Sequence, residues 1–257
     1  MKDLSIKKSA YALAAVDGSR AELTMYGEIC ERRPLDWWTG EPIEGDFITL
    51  DEFLDDLDEI KRCSELTIRM NSYGGDAVVA DTIHNRLREL SRAGMRITCI
   101  VDGVAMSGGS LIMCAADNVE VNPSSLIMIH NAWSFFFGGY NSADLLEAAA
   151  QLDAFDKAQA AIYERKTGLS QAEILGMMSE TTYMTGREAV EKGFADKLID
   201  DAEPLQIAAS ADGHSLYVGN RTLHLAPGMT APAALERMEA PETWRARMRE
   251  RLEKKGV

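Results

Sequence analysis

Apolar and polar residues alternate from Ala21 to Ile29, the period of a half-buried strand, whereas Asp51 to Ile60 places its apolar residues at helical spacing. A loop containing Trp37 and Trp38 joins the two. Leu66, Ile68 and Met70 mark a second strand, which runs into Asn71-Ser72-Tyr73-Gly74-Gly75-Asp76. That hexapeptide is a turn signal, and Asp76 stands where it would cap the next helix. Val79, Ile83, Leu87 and Leu90 give the helix one apolar face, and Gly94 stops it. The unit then recurs. Arg96 to Val101 predicts a strand, Asp102 to Gly109 a small-residue turn, Ser110 to Ala116 a buried helix, and Ser125 to Ile129 a buried strand ending at His130. A long helix is expected from Ala143 to Lys166, introduced by Asn141 or Ser142 and closed by Gly168. Ser170 with Glu173, and Thr185 with Glu188, have capping-box spacing for two shorter helices. Alternating β and α segments of this length predict an α/β fold with a mostly parallel sheet covered by helices.

Composition narrows the partners more than the fold. The chain has 257 residues, 46% hydrophobic and 26% charged, which is ordinary globular usage and excludes wholesale disorder. Its formal charge of −14 repels phosphate backbones and anionic membrane surfaces, so neither nucleic acid nor a membrane is an expected partner. Acids and bases balance from Asp201 onward, so the negative excess lies in the first 200 residues. There the text also changes to Ala, Gly and Pro with scattered charges. The expected organisation is an N-terminal segment (1–20), a catalytic-type domain (21–200) and a C-terminal extension (201–257) ending in an amphipathic helix after Pro241. Cys30, Cys63, Cys99 and Cys114 are widely spaced, and Cys99 and Cys114 fall in apolar runs, so neither zinc nor a disulfide framework is implied. Lys2, Lys7 and Lys8 precede a short apolar run, but Asp3 and the run's length argue against a leader, and a cytoplasmic protein is expected. The chain carries no P-loop motif.

Three segments present polar or backbone groups at the end of a buried strand, where α/β sheets hold their ligands. Gly74-Gly75 lets the backbone turn sharply and offer N–H groups to a developing oxyanion, although an isolated Gly-Gly is more often only a tight turn. In Gly103-Val104-Ala105-Met106-Ser107-Gly108-Gly109 a serine sits among small residues at a strand-to-helix junction. This is the shape of a nucleophile elbow, with the Gly108 amide as a natural oxyanion donor, and also of a serine N-cap in a packing crossover. Ser110 is a competing hydroxyl, expected to face the helix rather than the cleft. Of His84, His130, His214 and His224, only His130 stands at a strand end, where a neutral imidazole could take the proton of Ser107 and return it to a leaving amine.

Together these segments resemble the Clp peptidase proteolytic subunit family, and within it the peptidases encoded by phages and prophages. The carriers are NSYGG (71–75), similar to the family's N-S-P-G-G; GVAMSGGS (103–110), similar to G-x-A-x-S-x-G-A; and MIHN (128–131), similar to M-I-H-Q. YMTGREAVEKGFADKLID (183–200) is similar to the family's closing F-L-S-A-x-E-A-x-x-x-G-L-x-D-x-I. The resemblance spans about Ala21 to Asp200. It implies a crotonase-like fold of stacked β-β-α units, with Ser107 as nucleophile, His130 as general base and acid, and the amides of Gly75 and Gly108 as the oxyanion hole. No metal or cofactor is implied. It further implies a polypeptide substrate bound by β-augmentation and a homo-oligomeric ring whose contacts use the long helix and the segment before it. That segment holds Phe135, Phe136 and Phe137, which are costly to expose and are expected in an interface or substrate groove. For the phage branch it implies maturation of a procapsid by cutting capsid or scaffold protein, in the cytoplasm of a bacterial host. That role needs no compulsory ATPase; the missing P-loop fits it and fits equally well dependence on a separate ATPase unfoldase.

The sequence departs from the family where the third triad member belongs. The position of the family's aspartate holds Thr181, so either a one-residue shift brings Glu180 to His130 or no carboxylate orients it, with Asp153 and Asp156 on the long helix as weaker candidates. Tyr73 also replaces a proline. Two other readings follow. One is a ring subunit with impaired catalysis, motivated by Thr181. The other is a crotonase-fold enzyme acting on acyl-coenzyme A, against which the lack of a basic cluster for the coenzyme phosphates counts.

Overall fold

Strand–turn–helix repetition organises the chain. The computed structural model describes residues 11–17, 19–199, 207–218, 221–225, 228–232 and 237–238. The first repeats are β1 (Tyr11–Asp17), β2 (Arg20–Cys30), β3 (Phe47–Thr49), α1 (Leu50–Ile60), β4 (Glu65–Gly75) and α2 (Ala77–Arg92). They lead into β5 (Arg96–Met106), α3 (Gly108–Met113), β6 (Asn118–Val121) and β7 (Leu126–Ile129). Then come α4 (Ser142–Thr167), α5 (Gln171–Ser179), β8 (Thr182–Thr185), α6 (Gly186–Glu191) and β9 (Lys197–Leu198). Four short strands follow: β10 (Ile207–Ser210), β11 (Ser215–Val218), β12 (Arg221–His224) and β13 (Arg237–Met238).

Among the described residues, nine strands make one sheet along the path β1-β2-β4-β5-β6-β9, with β3 on β2 and with β7 between β5 and β8. All its pairs are parallel except β1 with β2 and β7 with β8. This is the α/β architecture that the alternation predicts. Buried strands of a parallel sheet read as apolar runs because both faces are covered. Leu126, Ile127, Met128 and Ile129 are accordingly all buried. The caps form where the spacing puts them. Asp76 accepts from the N–H groups of Val78 and Val79, and Asn141, Ser170 and Thr185 each complete a capping box.

β5 differs from expectation. Asp102 to Met106 continues the strand instead of turning, because β5 changes partners there. Thr98–Val101 pairs with β6, and Val104–Met106 pairs with β7. At the changeover the Val101 carbonyl accepts from Asn122 Nδ2 at 3.0 Å and Ser125 Oγ at 2.8 Å. The small residues that suggest a turn are a strand whose backbone bonds move to a second neighbour.

β10 to β13 form a second, four-stranded sheet in the order β12-β11-β10-β13. It is not a detached unit. Ala209, Leu216 and Ala231 share a buried apolar cluster with Val104, Met106, Leu126 and Met128 of β5 and β7. The main core lies on the other side and draws on α1, α2, α3 and the long strands. The helix expected after Pro241 lies outside the described residues, as does most of the N-terminal segment.

Candidate active site

Met106 and Met128 are register partners at the ends of β5 and β7, and the next positions toward the sheet's edge carry Ser107 and, two residues after Met128, His130. Ser107 leaves the strand with φ 51° and ψ −124°, a conformation that non-glycine residues rarely adopt. Three bonds hold it there. Its N–H donates to the Met128 carbonyl at 2.8 Å, and its own carbonyl accepts from the Ser110 N–H at 2.9 Å and from Ser110 Oγ at 2.6 Å. Ser110 Oγ also lies 2.7 Å from the buried Tyr163 hydroxyl, so this hydroxyl faces α4 as expected. The strained turn leaves Ser107 Oγ 2.8 Å from His130 Nε2.

The glycine turn closes over the serine. A Cβ on Gly74 would sit 2.7 Å from Ser107 Cβ and 3.0 Å from the Gly108 nitrogen, at φ +102°, so only glycine permits this approach. Gly75 is pressed on β2, where a Cβ would meet the Ile29 carbonyl oxygen at 2.0 Å. A Cβ on Gly108 would lie 3.6 Å from the Gly75 nitrogen. The two amide-bearing segments thus meet beside Ser107, as two donors to one oxyanion must. Asn71 and Ser72 fix the turn: Asn71 Oδ1 accepts from the Val104 N–H, and Ser72 Oγ bridges the Gly27 carbonyl at 2.6 Å and the Gly74 N–H at 3.1 Å. Sequence reading singled out the glycines of this motif but not these two polar residues, whose roles depend on neighbouring strands.

Burial holds the His130 pKa below its ordinary value, while the Asn131 main chain and the negative charge of Asp156 favour the imidazolium. Asp156, on α4, is only 7% exposed and accepts the Ala132 N–H at 2.6 Å through Oδ1. Burial raises its own pKa, opposed by the Ala132 bond and by His130. Glu180 is not brought to the imidazole: it caps the end of α5 with its side chain exposed, and it is absent from the charges acting on His130. Thr181 beside it has φ 52°. The structure therefore joins Ser107, His130, Gly75 and Gly108, leaves Glu180 outside, and puts Asp156 where a carboxylate acts on the histidine.

A cleft of about 780 Å³ opens over Ser107, His130, Gly75 and Gly108. Glu28, Glu31 and Asp76 line one part, and Trp133, Phe135 and Phe155 another. Tyr73 is half-buried in it, at the position where the family has proline. Phe135 is 58% exposed, and Phe136 and Phe137 are 45% and 86% exposed in the single chain. Among the described residues no group of three or more His, Cys, Asp or Glu side chains could hold a metal ion. Likewise no described helix is long and apolar enough to cross a membrane. Cys99 and Cys114 are buried free thiols whose pKa values burial pushes up, Cys114 to about 12.

A strained serine on a strand end, a histidine within hydrogen-bond reach and paired glycine amides define a hydrolase-type site on an α/β sheet. Residues 49–202 match the Clp protease family. The chain is also 30% identical over 146 residues to the ATP-dependent Clp protease proteolytic subunit of Deinococcus radiodurans, an alignment covering 56% of this chain and 69% of that protein. The chain belongs to the Clp protease family, and its mixed sheet and helices are the ClpP-like fold.

Proposed function

We propose that this chain is a serine endopeptidase that cleaves polypeptides through an acyl-enzyme on Ser107. The observation that carries the reading is the 2.8 Å contact between Ser107 Oγ and His130 Nε2 at the floor of the cleft. His130, kept neutral by burial, takes the hydroxyl proton as Oγ attacks the scissile carbonyl. The Gly75 and Gly108 amides stabilise the tetrahedral oxyanion, and the imidazolium returns the proton to the leaving amine. Water then attacks the acyl-enzyme by the same route in reverse. Asp156, rather than Glu180, is the carboxylate that favours the imidazolium formed in the transition state. A peptide fits in extended form along the Gly74-Gly75 strand.

The exposed Phe136 and Phe137, with Leu145 and Leu146 of α4 at 53% and 73%, support burial of this face between copies in a ring. The substrate proposed from the resemblance to phage peptidases is a capsid or scaffold protein. A separate unfoldase is the proposed partner for folded substrates. One observation favours the competing reading of a ring subunit with impaired catalysis: Thr181, not a carboxylate, fills the family's aspartate position.

Intact-mass labelling with a fluorophosphonate tests the proposal on the purified protein and on Ser107→Ala. One adduct on the wild type and none on Ser107→Ala is expected. A folded, assembled wild type that takes no label would replace the peptidase by the impaired ring subunit.

A further inference from the structure

The C-terminal sheet supplies a wall of the cleft that the peptidase-like part of the chain does not make for itself. Leu225 and Met229 line the same cleft as Ser107 and His130, though both lie more than 90 residues further along the chain. Both are partly buried against the cluster built on Met106 and Met128, and Tyr73 packs on that cluster too. The segment carrying them is fastened at each end. The Leu225 N–H donates to the His214 carbonyl at 2.9 Å, and the Ala231 N–H donates to the Gly213 carbonyl at 2.8 Å. Gly228, just before Met229, takes φ +88°, a conformation that glycine permits. The two bonds brace Leu225 and Ala231 on one turn, and the buried Ala209 and Leu216 tie their sheet to β5 and β7.

Met106 immediately precedes the nucleophile, and the Met128 carbonyl binds its N–H. Both methionines are buried beneath Tyr73, Leu225 and Met229, so these three partly buried side chains are what this wall presents to the cleft, and none of the three carries a charge at neutral pH. The carboxylates of Glu28, Glu31 and Asp76 line the cleft as well, so it has both apolar and acidic lining.

We infer that the C-terminal extension is a specificity element, with Leu225 and Met229 contacting the substrate and selecting an apolar side chain next to the scissile bond. This rests on the peptidase reading above. Discrimination of this kind comes from shape and desolvation: a charged side chain seated there would lose its hydration without a partner. Met is an adaptable packing residue, so Met229 beside Leu225, backed by the buried Met106 and Met128, suits unbranched and γ-branched side chains of differing length.

The test uses the full chain, Met229→Lys, and the milder Leu225→Ala as a second variant. Each is given a fluorogenic peptide panel with Leu, Phe, Lys or Glu before the scissile bond, alongside fluorophosphonate labelling of Ser107. The wild type is expected to prefer Leu over Glu by at least about 100-fold in kcat/KM. Met229→Lys is expected to cut that ratio by about 10-fold or more, and Leu225→Ala to raise Phe relative to Leu, with label still taken by both. Unchanged ratios in variants that still label would overturn the inference and leave the peptidase standing. A wild type that takes no label and cuts no peptide would overturn the peptidase reading and this inference with it.

Discussion

Asp156 on α4 accepts the main-chain N–H of Ala132 at 2.6 Å, which ties the long helix to the strand exit carrying His130. The same carboxylate acts through its charge on the imidazole. It therefore positions the loop after His130 and also favours the imidazolium.

Asp156→Asn keeps an acceptor for Ala132 and removes the charge. Its fluorophosphonate labelling rate is expected to fall by about 10²-fold or more, the scale on which orienting carboxylates act in serine hydrolases. Glu180→Gln, on an exposed helix end, is expected to change the rate less than about twofold. The reverse ranking would return the third catalytic position to Glu180.

The pH dependence follows from the direction of the His130 shift. In the proposed mechanism the neutral imidazole is the base, and burial lowers its pKa, so the acid limb of kcat/KM is expected to have its midpoint below the ordinary histidine value of about 6.5. Asp156 opposes that lowering, so Asp156→Asn moves the midpoint further down. A limb above 6.5 in the wild type would show that Asp156 and the Asn131 main chain outweigh burial at His130.

Gly74→Ala would place a methyl 2.7 Å from Ser107 Cβ and 2.8 Å from the Met106 carbonyl oxygen, on a backbone at φ +102°. Strain and overpacking of this kind cost about 2 kcal/mol or more. A lower Tm and loss of labelling are expected together. By contrast, a methyl on Gly139 meets nothing within 4 Å, so Gly139→Ala serves as the tolerated comparison.

His84 gives a stability prediction. It is buried on α2, its Nδ1 lies 2.7 Å from the Leu111 carbonyl of α3, and Arg165 approaches Nε2. Burial first, then the charges of Arg165, Arg88 and Arg92, hold its pKa at about 4, despite the Leu111 bond. Between about 4 and the ordinary value of about 6.5 the unfolded chain binds the proton and the folded chain does not. The His84 contribution is therefore greatest above about 6.5 and is lost as the pH drops toward 4, by up to about 3 kcal/mol, while Asp81 on the same helix, its pKa raised to about 6 by burial, acts in the opposite sense. Urea titrations of the wild type and His84→Gln across that range should isolate the His84 contribution, the variant losing less stability on acidification than the wild type.

The legible parts of the site were those that local pattern dictates. Ser107 and His130 end apolar runs, and Gly74-Gly75 ends an alternating one, so their placement at strand ends follows from burial alone. Capping boxes at Ser170 and Thr185 are likewise local chemistry. The length of β5 was hidden because Gly103 and Ala105 read as a turn when the second strand that accepts their backbone bonds is out of view. Asp156 and Glu180 both lie far along the chain from His130, and only the direction in which α4 crosses the sheet decides which carboxylate arrives. β10 to β13 are two to four residues each in Ala- and Gly-rich text, too short to show a period.

The shared cluster beneath Met106 and Met128 also sets an order of events during synthesis. The strands that aim Ser107 and His130 are complete by Ile129, yet the buried residues that share the apolar cluster under them include Ala209, Leu216 and Ala231. A ribosome must add about a hundred further residues before that underside can close. The strand ends that carry Ser107 and His130 thus rest on a completed floor only once Ala231 has been made, so folding of β5 and β7 as they emerge leaves their underside open until then.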